Sequence, residues 1–255
     1  MMKREYPILE HDINENAILE PHKLLCKKDI PENAVICFFN DIIDKLRNEG
    51  KLKFVENLKS EIGLHPIYEI DYRGKRIALF HPGIGAPLAA GMLEEVIALG
   101  SKKFIACGGA GVLDKDIAVG HVIVPISAIR DEGTSYHYLT PGREIQPSKE
   151  GIDAIENVLK RHKCNYLLSK TWTTDAIYRE TIDKVNLRKS EGCITVEMEC
   201  SALCAVSKFR NVCFAQLLYG GDSVSCEEWD SRNWKDRKEI REGLLMFAIE
   251  ACAEL

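Results

Sequence analysis

The sequence predicts an α/β fold: a single domain spanning 1–255, with a mixed, mostly parallel central sheet flanked by helices. Three observations predict it. Short apolar runs alternate with amphipathic helical stretches through the middle of the chain, which is the pattern of a layered α/β domain with a buried sheet. Charged and apolar residues stay mixed throughout, with no repeat, low-complexity segment or linker to divide the 255 residues. That length is ample for one large core.

The elements follow in order. "KRIALF" (75–80) reads as a strand and "HPGIGAP" (81–87) as a turn. "APLAAGMLEEVIALG" (86–100) reads as a helix with Pro87 in its first turn and Gly100 just past its end. "KFIACGG" (103–109) and "GHVIVPISAIR" (120–130) are the next buried strands, and "GIDAIENVLKRH" (151–162) is helical. "LLSKTWTTD" (167–175) runs from strand to loop, "TIDKVNLRKSEG" (181–192) is helical, and "CITVEM" (193–198) is a strand. A helix through "CSALCAVSKF" (200–209), the strand "VCFAQLLYG" (212–220) and a last helix over 233–254 complete the chain.

Composition narrows the function. Charged residues make up 29% and the net charge is −5, so the basic footprint of a nucleic-acid binder is missing and no nucleic-acid partner is expected. No apolar run approaches the roughly 20 residues of a membrane span. The start, "MMKREYPILEHD", has no apolar h-region, so neither a signal peptide nor a membrane partner is expected. The ten cysteines include no CxxC pair and no zinc spacing. They read as small buried thiols in a reducing cytoplasm, with no metal site.

Candidate chemistry lies where ligands bind in such sheets, beyond the carboxyl ends of strands. In "VEMEC" (196–200), Glu197 and Glu199 are two apart and project from one face if the strand continues. Two carboxylates there are suited to a sugar's hydroxyls, since each accepts hydrogen bonds in parallel. The alternative is plain structure: Glu199 caps the following helix and Glu197 is a solvated edge residue. Gly83 and Gly85 let the backbone approach a ligand just before a helix N-terminus, a place for an anion. Gly108 and Gly109 are placed to line a pocket, although "CGGAGVLDKDIAVG" (107–120) lacks the following helix of a dinucleotide fingerprint. Tyr178 is suited to stacking on a flat ring and Arg179 to donating to a carbonyl, the alternative being a polar loop. Asp222, after two glycines, is placed for a general acid or an Asp-initiated turn.

Taken together, "GIGAPLAAGMLEEVIALG", "CGGAG…IAVGHVIVP", "TTDAIYRET", "VEMECSAL" and "GGDS" resemble, in that order, the nucleoside phosphorylase superfamily of the uridine phosphorylase and hexameric purine nucleoside phosphorylase type. The likeness runs from about residue 20 to the end, and "VEMECSAL" is its most specific piece. The resemblance implies that phosphate, as co-substrate, attacks C1′ of a purine or pyrimidine nucleoside and displaces the base, with no metal or organic cofactor. It implies that Glu199 grips the ribose 2′ and 3′ hydroxyls, with Met198 under the sugar and Glu197 beside it. It makes Asp222 the donor of a proton to N7 of a departing purine, and puts Tyr178 and Arg179 at the base. It also implies a cytoplasmic homo-oligomer, dimer or hexamer, in which a residue near one amino terminus, for which His11 is the candidate, reaches the neighbour's ribose.

The sequence departs from that pattern at the anion. Family members carry phosphate-binding arginines at three places. The matching stretches here are "AVICFFNDIIDKL" (34–46), Ala106 and "EIGLHPIYE" (61–69), none with an arginine. Phosphate would then rest on backbone near Gly83, Gly85, Gly108 and Gly109, with Arg130 or His81 beside it. Two alternatives follow: a nucleoside hydrolase of the same fold, and a nucleoside-binding protein without catalysis.

Overall fold

A computed structural model describes residues 3–255. Ten strands, β1 (Asn33–Cys37), β2 (Lys53–Ser60), β3 (Gly63–Tyr72), β4 (Lys75–Phe80), β5 (Lys103–Val112), β6 (Val122–Asp131), β7 (Glu144–Ile145), β8 (Tyr166–Thr174), β9 (Cys193–Glu197) and β10 (Cys213–Ser223), form one mixed sheet. Its long central ladders, β4–β1–β5–β10 and β6–β8–β9, are parallel. The antiparallel pairings sit in the β2–β3–β4 arm, at the short β7, and where β9 meets β5 and β6 meets β10. Because β5 pairs with both β10 and β9, the strands β5, β10, β6, β8 and β9 close on themselves into a ring.

Helices cover both faces. α2 (Asn40–Asn48), α5 (Lys149–Arg161) and α8 (Lys238–Glu254) pack on Val35, Leu79, Ile105 and Leu217. α3 (Ala86–Leu99) and α7 (Cys200–Phe209) pack on the alternate residues Ile36, Phe80, Phe104 and Phe214. Burial on both faces explains why these strands read as continuous apolar runs rather than alternating ones. The helix over 86–99 begins at Gly85 and ends on Gly100, which takes a left-handed φ of 139°. The final helix starts at Lys238, later than the sequence suggests, because the chain first makes a short 3-10 turn over Trp234–Asp236.

In the β2–β3–β4 arm, the apolar-run reading finds β4 and passes over β2 and β3. The β3–β4 turn holds Arg73 and Gly74 at φ values of 53° and 81°, the double left-handed pair of a tight hairpin. Two shorter helices, α1 (Pro21–Leu24) and α4 (Ser135–Tyr138), lie on the α3–α7 side, and α6 (Ile182–Ser190) packs beside β9.

One carboxylate joins β8 to its neighbours. Asp131 Oδ2 accepts from Trp172 Nε1 at 3.0 Å, Arg188 Nη2 at 3.0 Å and Lys184 Nζ at 3.2 Å, tying β6, β8 and α6 together. Trp172 is fully buried, so its indole N–H has no water to turn to. Asp131→Ala should lower stability by about 1–3 kcal/mol, the cost of a stranded buried donor, read as a urea midpoint shift. A loss under about 0.5 kcal/mol, the scale of an ordinary surface change, would show that the network holds nothing.

Candidate active site

β5 changes neighbours part-way along. β1 stops at Cys37, opposite Cys107, and β9 joins that same edge only at Gly111. From Gly108 to Ala110 the edge has no strand beside it, and the sheet forks. Such a switch point is where open α/β sheets bind ligands. Around it lie the turn after β4, the end of β8, the β9–α7 junction and the bent end of β10.

The β9–α7 junction holds the two glutamates, but not on one face. The strand ends at Glu197, and Glu199 sits at the helix start with φ −136° and ψ −27°. Their directions therefore diverge. Glu197 turns inward and caps the helix: its Oε2 accepts from the amides of Glu199 and Cys200, each at 2.7 Å, and its Oε1 accepts from Thr173 Oγ1 at 2.6 Å. Ser201 N in turn donates to Thr173 Oγ1 at 3.0 Å. Both oxygens of Glu197 are thus engaged by the protein, which leaves neither for the ligand contact expected of it. Behind it, Glu132 accepts from Ser201 Oγ at 2.8 Å and Ser135 N at 2.9 Å.

Glu199 points across the fork. Its Oε1 accepts from Gly85 N at 2.6 Å, binding the β9–α7 junction to the β4–α3 turn. The carboxyl is 6% exposed and no basic side chain pairs with it. Burial, and then the charge of Glu197, raise its pKa. Burial also raises that of Glu197, but three donors oppose this by favouring its charged form. The proton shared by the pair therefore resides on Glu199. Met198, between them, is half-buried.

The turn after β4 needs glycine, and both glycine amides are bound within the chain. Gly83 and Gly85 take φ values of 83° and 88°, and a Cβ on Gly83 would lie 2.1 Å from Leu88 Cδ2. Gly83 N donates to His81 Nδ1 at 3.0 Å, so neither this amide nor that of Gly85 is free for an anion. His81 also hydrogen-bonds the Phe38 backbone, and burial pushes its pKa down, away from a phosphate-pairing cation. Arg130 is bound to Ser135 Oγ at 2.9 Å and to the Thr140 and Leu139 carbonyls at 2.8 and 3.3 Å. At Gly108 and Gly109 a Cβ would press on Phe38 at 3.2 Å and on the Tyr219 ring at 3.1 Å, so those glycines make room for aromatic rings.

Asp222 stands at the other side of the fork. Its Oδ2 accepts from Trp229 Nε1 at 2.7 Å, and its Oδ1 lies 3.7 Å from where a Cβ of Gly111 would stand. Tyr178 and Arg179 do not join it: they sit on a 3-10 turn, Ile177–Arg179, that turns both outward, with Tyr178 94% exposed. His11 is half-buried near the amino-terminal turn Pro7–Leu9, which packs on α4, and its Nδ1 has no hydrogen-bond partner. Sequence reading missed Thr173, Ser201 and Glu132, which position Glu197. Only the register Thr173↔Glu197 between β8 and β9 reveals the first. Among the described residues no group of acids, histidines and cysteines is arranged to hold a metal.

Residues 33–245 match the family described as the phosphorylase superfamily. A purine nucleoside phosphorylase of the DeoD type from Bacillus cereus is 33% identical over 192 residues, covering 72% of this chain and 78% of that protein. Among solved structures, a purine nucleoside phosphorylase from Toxoplasma gondii superposes with a TM-score of 0.78 at 22% identity, covering 94% of this chain and 97% of that one. An AMP nucleosidase from Bacteroides thetaiotaomicron gives 0.70 at 23% identity over 88% and 87% of the two chains. At these identities the structures show the shared fold.

A raised carboxyl pKa in the folded state means that stability is highest below the unfolded value and falls as pH rises through the folded one. The Glu199 carboxyl, lifted above its ordinary value of 4.5, therefore weakens the ligand-free protein on the alkaline side. Glu199→Gln, which keeps an acceptor for Gly85, should match the parent at about pH 5.5 and exceed it by about 1–3 kcal/mol at about pH 8.5. Thermal melts at both pH values check this; an equal difference at each would mean that Glu199 is not held protonated by burial.

Proposed function

Because this chain belongs to the phosphorylase superfamily, we propose that it is a nucleoside phosphorylase acting on purine nucleosides. Phosphate oxygen bonds to C1′ as the C1′–N9 bond breaks, the bond's electrons go to the base, and the base takes a proton at N7. The products are pentose 1-phosphate and free base. No metal or organic cofactor enters this reading. Its setting is a cytoplasmic homo-oligomer; the ten free thiols suit a reducing compartment, and the exposed Ile13, Ile18, Leu19 and Leu24 give the amino-terminal segment an apolar surface suited to a second copy.

The observation that carries the reading is Glu199: a buried carboxyl aimed into the fork, held by backbone amides and no cation. Ribose hydroxyls are the donors it lacks. Once ionised against them, it faces the positive charge that grows on the sugar ring as the base leaves, and it stabilises that state more than the ground state. Asp222, fixed by Trp229, is the acid on the departing base.

A second reading is favoured by the anion end. With the Gly83 and Gly85 amides, both His81 nitrogens and Arg130 already bound within the chain, water in place of phosphate gives a nucleosidase. The shared fold of an AMP nucleosidase supports this reading.

Base release from inosine, adenosine and uridine, followed with and without phosphate, separates the readings. Release that requires phosphate supports phosphorolysis, and release indifferent to it supports hydrolysis. Binding without release leaves a nucleoside-binding protein. Glu199→Gln should lower kcat by roughly 100- to 1,000-fold, the scale of one lost electrostatic stabiliser. Asp222→Asn should reduce purine cleavage far more than uridine cleavage; equal losses would remove the N7 proton from the account.

A further inference from the structure

The unpaired stretch of β5 is not empty. β1 ends at Cys37, and the next residue, Phe38, lays its ring over Gly108, where a Cβ would lie 3.2 Å from Phe38 Cδ2. The ring packs on the α3–α7 side of the sheet, the side on which the β4–α3 turn meets the β9–α7 junction through Glu199. It stands edge-on to the His81 ring, with the two centroids 6.0 Å apart. Ala34 to Cys37 are fully buried and Phe38 is half-buried, so the chain reaches open space at this ring. Its backbone is committed as well. Phe38 N donates to Cys107 O at 3.1 Å, and His81 bonds the Phe38 backbone. An incoming group therefore meets hydrocarbon here, and the amides of Phe38, Gly83 and Gly85 have no hydrogen to give it.

We infer that Phe38 is the residue that selects the nucleophile, its ring at Gly108 disfavouring phosphate relative to water. This rests on the reading of the fork as a nucleoside-cleaving site, and it concerns the two nucleophiles weighed there. A phosphate dianion entering the fork sheds its hydration and needs donors in return. Carbon supplies none, and a charge left without them is costly to bury. Water is small and neutral, so it gives up far less on entering. In the hydrolytic step the water oxygen bonds to C1′ as the C1′–N9 bond breaks. The bond's electrons leave with the base, the base gains one proton, and the attacking water gives one up. The products are free pentose and free base; with phosphate in place of water the sugar product is pentose 1-phosphate. A side-chain amide in place of the ring supplies an N–H donor and vacates part of the ring's volume, so it moves the balance toward phosphate.

The test measures base release from inosine on the parent, Phe38→Asn and Phe38→Leu, without phosphate and over a phosphate series. On the parent, phosphate should act weakly, with a KM above about 1 mM, the upper end of ordinary substrate values, or with no effect on release. The readout is kcat/KM for phosphate divided by the phosphate-free rate, which does not depend on how much of the protein is folded. Phe38→Asn should raise that ratio by roughly 10-fold or more, the worth of one hydrogen bond to a charged group, and should form pentose 1-phosphate where the parent forms none. Phe38→Leu should stay within about 3-fold of the parent, since hydrocarbon replaces hydrocarbon. Phe38→Ser serves if the asparagine variant does not fold. A parent that saturates with phosphate well below about 1 mM, an unchanged or lower ratio in Phe38→Asn, or an equal rise in Phe38→Leu would overturn the inference. If the parent releases no base under any condition, the proposed reaction fails separately. Titration calorimetry with inorganic phosphate on the parent and Phe38→Asn then decides: the variant should bind phosphate more tightly, and equal binding, or none to either, overturns it.

Discussion

A buried carboxylate that caps a helix governs this site. Glu197 takes the first two amides of the β9–α7 junction and the Thr173 hydroxyl, so its charge is satisfied without a cation and the helix start is held against β8. A carboxylate bonded to backbone N–H groups at a helix N-terminus is favoured both by the hydrogen bonds and by the helix dipole. Fixing that junction fixes Glu199, which has no choice but to project toward the β4–α3 turn and meet Gly85. One acid is structural, and the next faces the fork.

The topology supplies the rest. A strand that loses one neighbour before gaining another leaves a gap, and β5 does this between Cys107 and Gly111. Ring closure through β6, β8 and β9 then brings Thr173, Glu197 and Asp222 around that gap from distant parts of the chain. The fork is acidic: Glu199 stands on one side and Asp222 on the other, and the amides of Gly83 and Gly85 are bound within the chain. Carboxyl groups without a cation beside them stabilise a positive charge more readily than they hold a dianion.

Much of this was legible in the chain. The helix over 86–99 and the strand over 75–80 follow from periodicity and from the Gly-Pro punctuation around them, which are local signals. The order of the motifs also made Glu199 and Asp222 candidates, and the structure brings both to the fork. What stayed hidden depends on long-range register. Periodicity put Glu197 and Glu199 on one face, but the strand ends at Glu197 and the backbone turns, which reverses which acid caps the helix. Gly108 and Gly109 suggested room for a ligand, yet the neighbours that demand glycine there are Phe38 and Tyr219, reachable only once β1 and β10 are in place. The β2–β3 hairpin was missed because its half-exposed strands lack the continuous apolar runs that mark the buried ones.

The most direct test removes the donors rather than the acceptor. Cleavage of a 2′,3′-dideoxynucleoside and its parent ribonucleoside is measured on the native protein and on Glu199→Gln. If Glu199 is the ionised acceptor of the sugar diol, the dideoxy substrate should lose roughly 100-fold or more in kcat/KM on the native protein, given two hydrogen bonds to a charged group. On the variant it should lose less than about 10-fold, because the charge that made those bonds strong is gone. The same loss on both proteins would mean that the sugar hydroxyls never meet Glu199, and would contradict the account.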